Sequence, residues 1–411
     1  MLLQLSIIIA FRIIGIYELA PEYVNSHGYS VFASDSFSCH NQALLLKDVL
    51  LDFRFQDWWG ENSRFHTRLA SFLYLFFGPI FGNNILCIWP LNAFCLFFSW
   101  KAWLQLISSL GGTKTPSSWH WCLFPSIILH FTQLLRDPLY ILFFLMWLNA
   151  WIAFFQLEKN KSLYKSVILV LLISPFLFWV RERFWVLAQV MSLSWLLYAL
   201  ILTTFKRKGF QWFACVLFMT LVINSNSIYK IALKVMNQEI SEVRDPELKD
   251  KPFTYFYKIA SLRNDFIKSY QNASSLDHEV HFESDQDVIQ YIPRALQISF
   301  FMPFPDMWFS NTGKTGKLGK ILSAYEMVLI WSILCVLIYK SYHRRWTSAH
   351  LICLSAILIS YLALGLVVTN GGALYRMRFA SWLIWAALMF SFMQPFLSKH
   401  NSVKLEVANK E

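Results

Sequence analysis

Long apolar runs separated by short polar links set the frame of this chain. Runs at 84–108, 120–133, 138–157, 164–180, 184–205 and 210–229, then at 322–339, 350–369 and 379–397, read as membrane-crossing helices, since about 20 apolar residues span a bilayer core. The run at 1–17 is shorter and carries Arg12, yet it lacks both a basic leader and a small-residue cleavage site. It predicts a retained first span in which Arg12 snorkels or faces protein. Residues 68–81 are apolar but brief, and Gly78-Pro79 interrupts them, which predicts an interfacial or re-entrant helix. In the mixed segment 18–66, residues 42–55 place apolar side chains at helical spacing, as an amphipathic helix on a membrane surface does.

These elements predict an all-α integral membrane protein with about ten transmembrane helices. An N-terminal transmembrane module covers 1–229 and includes a large first non-cytoplasmic loop at 18–83. A non-cytoplasmic segment of roughly ninety residues, 230–320, precedes C-terminal spans at 321–398 and a cytoplasmic tail at 399–411. Within the polar segment, the aromatic and proline-rich stretch 291–309 reads as a membrane-surface element.

Composition agrees: 56% of the residues are hydrophobic and 38 are Phe, more than a soluble core of this length needs. The net charge of +11 would suggest nucleic acid in a soluble protein, but here the basic excess lies in short links beside apolar runs. It therefore reads as an orientation signal and as contact with membrane lipids, with no nucleic-acid role. Lys159, Lys161 and Lys165, then Lys206, Arg207 and Lys208, then Lys340, Arg344 and Arg345, and finally Lys399, Lys404 and Lys410 all fall on one side of the predicted spans. That side is cytoplasmic, and so are both termini. Of the seven cysteines only Cys39 lies in a polar link, so neither a disulfide framework nor a paired-cysteine metal pattern is present. His27, His40 and His66 share the first loop with acids at no standard metal spacing, and no metal or other cofactor is assigned.

Four links on the opposite face bring ionisable groups to one depth: Asp35 and its neighbours, Arg136 with Asp137, Arg181-Glu182-Arg183, and Tyr375-Arg376-Met377-Arg378. A half-buried carboxylate there can accept a proton from a hydroxyl, and an arginine fork matches two phosphate oxygens at once. A substrate with its tail in the bilayer and a phosphate at the surface fits that depth. Arg376 and Arg378 weigh most, because positive charge on this face runs against the usual bias. For Arg136 with Asp137 the plainer reading is a mutually neutralising pair, and for Asp35 and His40 it is a solvated surface.

At three places the chain resembles the GT-C class of polytopic glycosyltransferases, which includes bacterial protein mannosyltransferases and aminoarabinose transferases. They are Ala33-Ser34-Asp35-Ser36-Phe37-Ser38-Cys39-His40-Asn41-Gln42-Ala43, Thr132-Gln133-Leu134-Leu135-Arg136-Asp137-Pro138, and Gly372-Ala373-Leu374-Tyr375-Arg376-Met377-Arg378-Phe379. The segment 293–305 is similar to the membrane-surface element of such proteins. The resemblance implies transfer of a sugar from a polyprenyl-phosphate donor to a lipid, glycan or protein acceptor, at the non-cytoplasmic face of a bacterial inner membrane. It implies Asp35 as the base, Asp137 as a second acid, and Arg376 and Arg378 on the donor phosphate, with Tyr375, Arg136, Arg183 and His40 as further substrate contacts. A polymerase or ligase of lipid-linked glycans would use the same arginines, and a transporter or flippase is the alternative from another class.

Overall fold

Every apolar run that the structure describes contains helix, the form in which a backbone among apolar side chains satisfies its own N–H and C=O groups. The structure, a computed structural model, describes the chain apart from residues 31–32, 34, 61–63, 113–120, 122, 156–159, 182–184, 206–247, 249–250, 270–275, 310–315, 343–345 and 393–411. In order come α1 (Leu2–Ile16), α2 (Asp35–Leu51), α3 (Phe55–Gly60), α4 (Phe65–Phe81), α5 (Trp89–Ser109), α6 (Pro125–His130), α7 (Asp137–Phe155), α8 (Asn160–Val180) and α9 (Trp185–Phe205). After these follow α10 (Tyr257–Ser269), α11 (Asp285–Phe301), α12 (Gly316–Ser341), α13 (Ser348–Val367), α14 (Gly371–Met377) and α15 (Phe379–Phe392). Among the described residues there is no β-strand.

The chain is all-helical, and four of its helical stretches are long and apolar enough to cross a membrane: Ile85–Ser109, Asp137–Phe155, Gly319–Ser341 and Ser348–Val367. Leu2–Ile16, Lys165–Val180, Val186–Leu202 and Phe379–Phe392 are apolar but shorter. The span expected at 210–229 lies outside the described residues.

Three local expectations are corrected. The run at 120–133 is not one span: among its described residues the α-helix covers only Pro125–His130, about 9 Å of rise, and residues 131–136 turn irregularly before α7 begins. Pro138 then occupies the second position of α7, where its missing N–H has no helical partner to lose. Gly78-Pro79 does not break α4, which continues to Phe81 and ends at Gly82, whose φ of 70° glycine adopts without strain. Asp35 is not a loop residue but the first residue of α2.

The chain divides into two compact units, Met1–Val180 with Pro303–Cys353 and Met377–Glu411, and Arg181–Met302 with Leu354–Arg376. In the first unit α7 is the central helix, almost wholly buried and packed against α5 and α8, while α2 packs on α4. Polar side chains tie these helices through backbone carbonyls: Asn149 Nδ2 donates to Ala102 at 2.8 Å, and Trp103 Nε1 donates to Leu383 at 2.7 Å. Each satisfies a donor that would be costly to bury alone.

The second unit is organised by Arg263, which is buried and donates to the carbonyls of Val280 at 3.0 Å, Asp277 at 2.9 Å and Leu366 at 3.1 Å. The Asp277 carboxylate accepts from Arg294 at 2.9 and 3.0 Å and from the Tyr291 hydroxyl at 2.8 Å. Arg294 and Tyr291 therefore hold that carboxyl below the usual range. Helices α11 and α13 meet closely at Gly365, where an added Cβ would come within 2.1 Å of the Ala295 carbonyl oxygen, and nearby Ser299 Oγ donates to the Tyr361 carbonyl at 2.7 Å. Gly365→Ala should destabilise the protein by about 1–3 kcal/mol through overpacking. Gly372→Ala, where the nearest atom is 3.4 Å away, should change stability by under about 0.5 kcal/mol. Thermal unfolding in detergent checks both, and equal midpoints for the two variants would contradict the close helix crossing.

Candidate functional site

Residues 131–136 are irregular backbone inside a helical unit, and the backbone groups that local turn bonds leave over need partners from elsewhere. Two side chains reach in to carbonyls of this stretch, and one of its own reaches out. Gln4 Nε2 donates to the Phe131 carbonyl at 2.7 Å, Asn92 Nδ2 donates to the Gln133 carbonyl at 3.0 Å, and Gln133 Oε1 accepts from Ser30 N–H at 3.0 Å and Ser36 Oγ at 3.4 Å. The turn is thereby pinned to α1, to α5 and to the start of α2, and it delivers Arg136 and Asp137 to the place where α2 begins.

Both expected acids open helices, Asp35 in α2 and Asp137 in α7, where the positive end of the backbone dipole favours a carboxylate. Between them sits His66, fully buried near the start of α4, with Nε2 3.3 Å from Cys39 Sγ; Arg64 Nη1 lies 3.8 Å from the same sulfur. Burial lowers the His66 pKa to about 3; Arg136 and Arg64 press it further down while Asp137 and Asp35 oppose them. All four charges therefore lie within electrostatic reach of one ring. Burial raises the Cys39 thiol, against Arg64, so it remains a protonated, inert group.

His40 is also buried, one residue further along α2. Its Nδ1 is 2.8 Å from the Tyr74 hydroxyl, which in turn bonds to the Tyr29 hydroxyl. The His27 and Tyr29 rings each lie 4.8 Å from the His40 ring. Burial, with His27 beside it, lowers the His40 pKa to about 4, and burial raises Tyr29 above the ordinary phenol range.

A second polar group of the first unit surrounds α6. Glu326 of α12 is fully buried and accepts from Ser126 N–H at 2.8 Å, while His130 Nδ1 meets the Ser126 carbonyl at 2.6 Å and its ring packs 4.9 Å from Phe379. Arg378 is fully buried too, with Nη2 3.7 Å from Met327 Sδ and its guanidinium 5.5 Å over the Trp382 ring. Thus Arg378 is enclosed by protein: thioether and indole lie against its guanidinium. The same unit holds an apolar cavity of about 120 Å³, lined by Trp103, Trp121, Phe124, Ile333, Leu383 and Phe390 among others.

The structure thus gathers Asp35, Arg136 and Asp137 around His66, with His40 in the adjoining tyrosine chain. Arg378 belongs to the α6 group of the same unit, whereas Tyr375 and Arg376 are half-buried on α14 in the second unit. Arg183 lies outside the described residues. Sequence reading missed Arg64, His66 and Gln133 as site members, and Glu326 altogether. The available signal for Glu326 was a lone acid inside the apolar run 322–339. Among the described residues no three His, Cys, Asp or Glu side chains gather so as to hold a metal ion. Comparisons of the chain with protein families, curated proteins and solved structures find no match.

His40 and His66 are neutral in the fold and would take up protons below about pH 6.5 once unfolded, so the unfolded chain binds more protons there. Their contribution is complete above pH 6.5 and is lost as pH falls towards 4 and 3 respectively. At about pH 5 the loss should be about 2 kcal/mol per ring. The gap between unfolding midpoints at neutral and acid pH should narrow in His66→Gln, His40 keeping its share, and an unchanged pH slope in that variant would contradict the buried neutral ring.

Proposed function

We propose that the chain is a membrane glycosyltransferase that moves a sugar from a polyprenyl-phosphate donor to a lipid, glycan or protein acceptor. The observation that carries this reading is the convergence on His66 of two carboxylates, Asp35 and Asp137, and two guanidiniums, Arg64 and Arg136, from separate parts of the chain. Such a set offers a proton acceptor and a phosphate clamp in one place.

In this reading the acceptor hydroxyl gives its proton to Asp35 as its oxygen bonds to the anomeric carbon. The bond from that carbon to the phosphate oxygen breaks, and the electron pair stays on the lipid phosphate. Arg136 and Arg64 stabilise that growing charge, and Asp137 orients the guanidiniums. Arg378 supplies a further cation. The remaining parts of the reading are about ten spans, cytoplasmic termini, and a site on the non-cytoplasmic face of a bacterial inner membrane.

Buried Glu326 and Arg378 favour a second reading, a transporter or flippase for lipid-linked glycans, because charges inside spans often line a pathway. Transfer of radiolabelled sugar from mixed polyprenyl-phosphate donors separates the two. Membranes carrying the wild-type chain should transfer label, and at matched protein amounts Asp35→Asn should lower the rate by about 10²–10⁴-fold and Arg136→Gln by about 10²–10³-fold. Wild-type membranes no better than controls, with lipid-linked substrate accumulating on deletion, would favour the transporter.

A further inference from the structure

The apolar cavity of the first unit can be traced to one small side chain. Ala386 lies on α15 one turn from Leu383 and one turn from Phe390, and all three line the space, so the middle of this wall offers a single methyl group where its neighbours offer large side chains. Leu329, Ile333 and Val336, on one face of α12, line it as well. The void of about 120 Å³ is close to the roughly 150 Å³ of an apolar cavity that takes up benzene, and so has room for about four to six carbon atoms. Its wall asks for no polar ligand. The Ser332 hydroxyl donates to its own helix at the Val328 carbonyl, 2.8 Å away, the Trp103 N–H donates to the Leu383 carbonyl at 2.7 Å, and the Trp121 N–H is buried. Water would find no partners there, and an empty void would forfeit dispersion contacts along its whole lining.

The lining reaches the surface on α12, where Leu329 and Val336 are half-buried and Ser332 is exposed. Ser332 continues an exposed, uncharged stripe of Tyr325, Val328, Cys335 and Tyr339. This helix holds one of the four stretches long and apolar enough to cross a membrane, Gly319–Ser341, so such a stripe meets lipid. Ser332 lies about 20 Å from the start of that stretch and about 14 Å from its end, near the middle of a hydrocarbon core about 30 Å thick. At that depth a bilayer presents chain ends and no headgroups. We infer that the void takes the end of one acyl chain of a membrane phospholipid, which enters past Ser332. The chain leaves one apolar surrounding for another, so packing against the lining holds it and not escape from water. Phe124, which also lines the void, directly precedes α6, and the lodged chain therefore supports the entry to that helix. This occupant is a lipid of the bilayer and not a substrate, so the inference does not rest on the sugar-transfer reading.

The test places the full chain in phosphatidylcholine nanodiscs with a small share of a phosphatidylcholine that carries a diazirine at the end of one acyl chain. After illumination, mass spectrometry should find label enriched on residues 329–336 and 383–390 over Ile168 and Leu172, exposed apolar residues of α8 that serve as the reference for ordinary lipid contact. A diazirine beside the glycerol should leave the same residues nearly unlabelled. Ala386→Leu fills the void and should lose the enrichment while the label on α8 stays unchanged. If that variant unfolds at a lower temperature, Ser332→Phe, which narrows the entrance from the exposed side, is read in its place with the same loss expected. Equal label on the lining and on α8, enrichment that survives in the filled or narrowed variant, or equal labelling by the diazirine beside the glycerol would each overturn the inference. So would loss of the enrichment on adding one polyprenyl phosphate per chain, which would give the void to a different lipid.

Discussion

A stretch of non-helical backbone buried inside a helical unit has few ways to exist, and the first unit is arranged around one. Most N–H groups of residues 131–136 still find carbonyls in or just before the turn, but side-chain amides from α1 and α5 reach in to the Phe131 and Gln133 carbonyls, and the Gln133 side chain answers towards the start of α2. Because that turn leads directly into α7, an almost wholly buried helix, Arg136 and Asp137 are held at a fixed point in the packing of the first unit. Preceding it, α6 touches Glu326 through Ser126 and Phe379 through His130. One segment of about a dozen residues therefore bears on both polar groups of the unit.

The two groups handle charge differently. Around His66 two acids balance two arginines, and the ring among them stays neutral, so the place is polar without a net charge from its ionic residues. At α6, by contrast, Glu326 and Arg378 are fully buried among apolar side chains, where each ion would be expensive without compensation. The Ser126 N–H, the Met327 sulfur and the Trp382 ring supply part of it. Substitution of either member would leave the surrounding dipoles without their ion.

Much of this was legible from the sequence, and the limits have physical causes. Long apolar runs announced helices, and the shared depth of charged links pointed to Asp35, Arg136 and Asp137. Periodicity could not announce the turn at 131–136, because its stability comes from Gln4 and Asn92, which lie 127 and 41 positions away. Nor could it place Arg378: a link between two apolar runs suggests an interface, but the guanidinium folds inward against Met327, 51 residues earlier. Pro79 looked like a helix breaker, yet at the last turn of α4 it removes little pairing and Gly82 ends the helix three residues later. His66 was read as one histidine among acids at an unhelpful spacing. Only the packing of α2 on α4 reveals that its neighbours are Cys39 and Arg64.

The bond between Gln4 and the Phe131 carbonyl also orders events in time. Its two ends are separated by 127 residues, so a ribosome adding about 5–20 residues per second makes the donor roughly 6–25 s before its acceptor exists. Through that interval α1 has to keep a buried-type amide without its final partner, whether beside the insertion machinery or against water and lipid headgroups. The early helix is thus a waiting component, and the turn that will carry Arg136 and Asp137 closes only once α6 emerges to meet it. Assembly of this unit is gated by the arrival of its middle, not by the formation of its first helix.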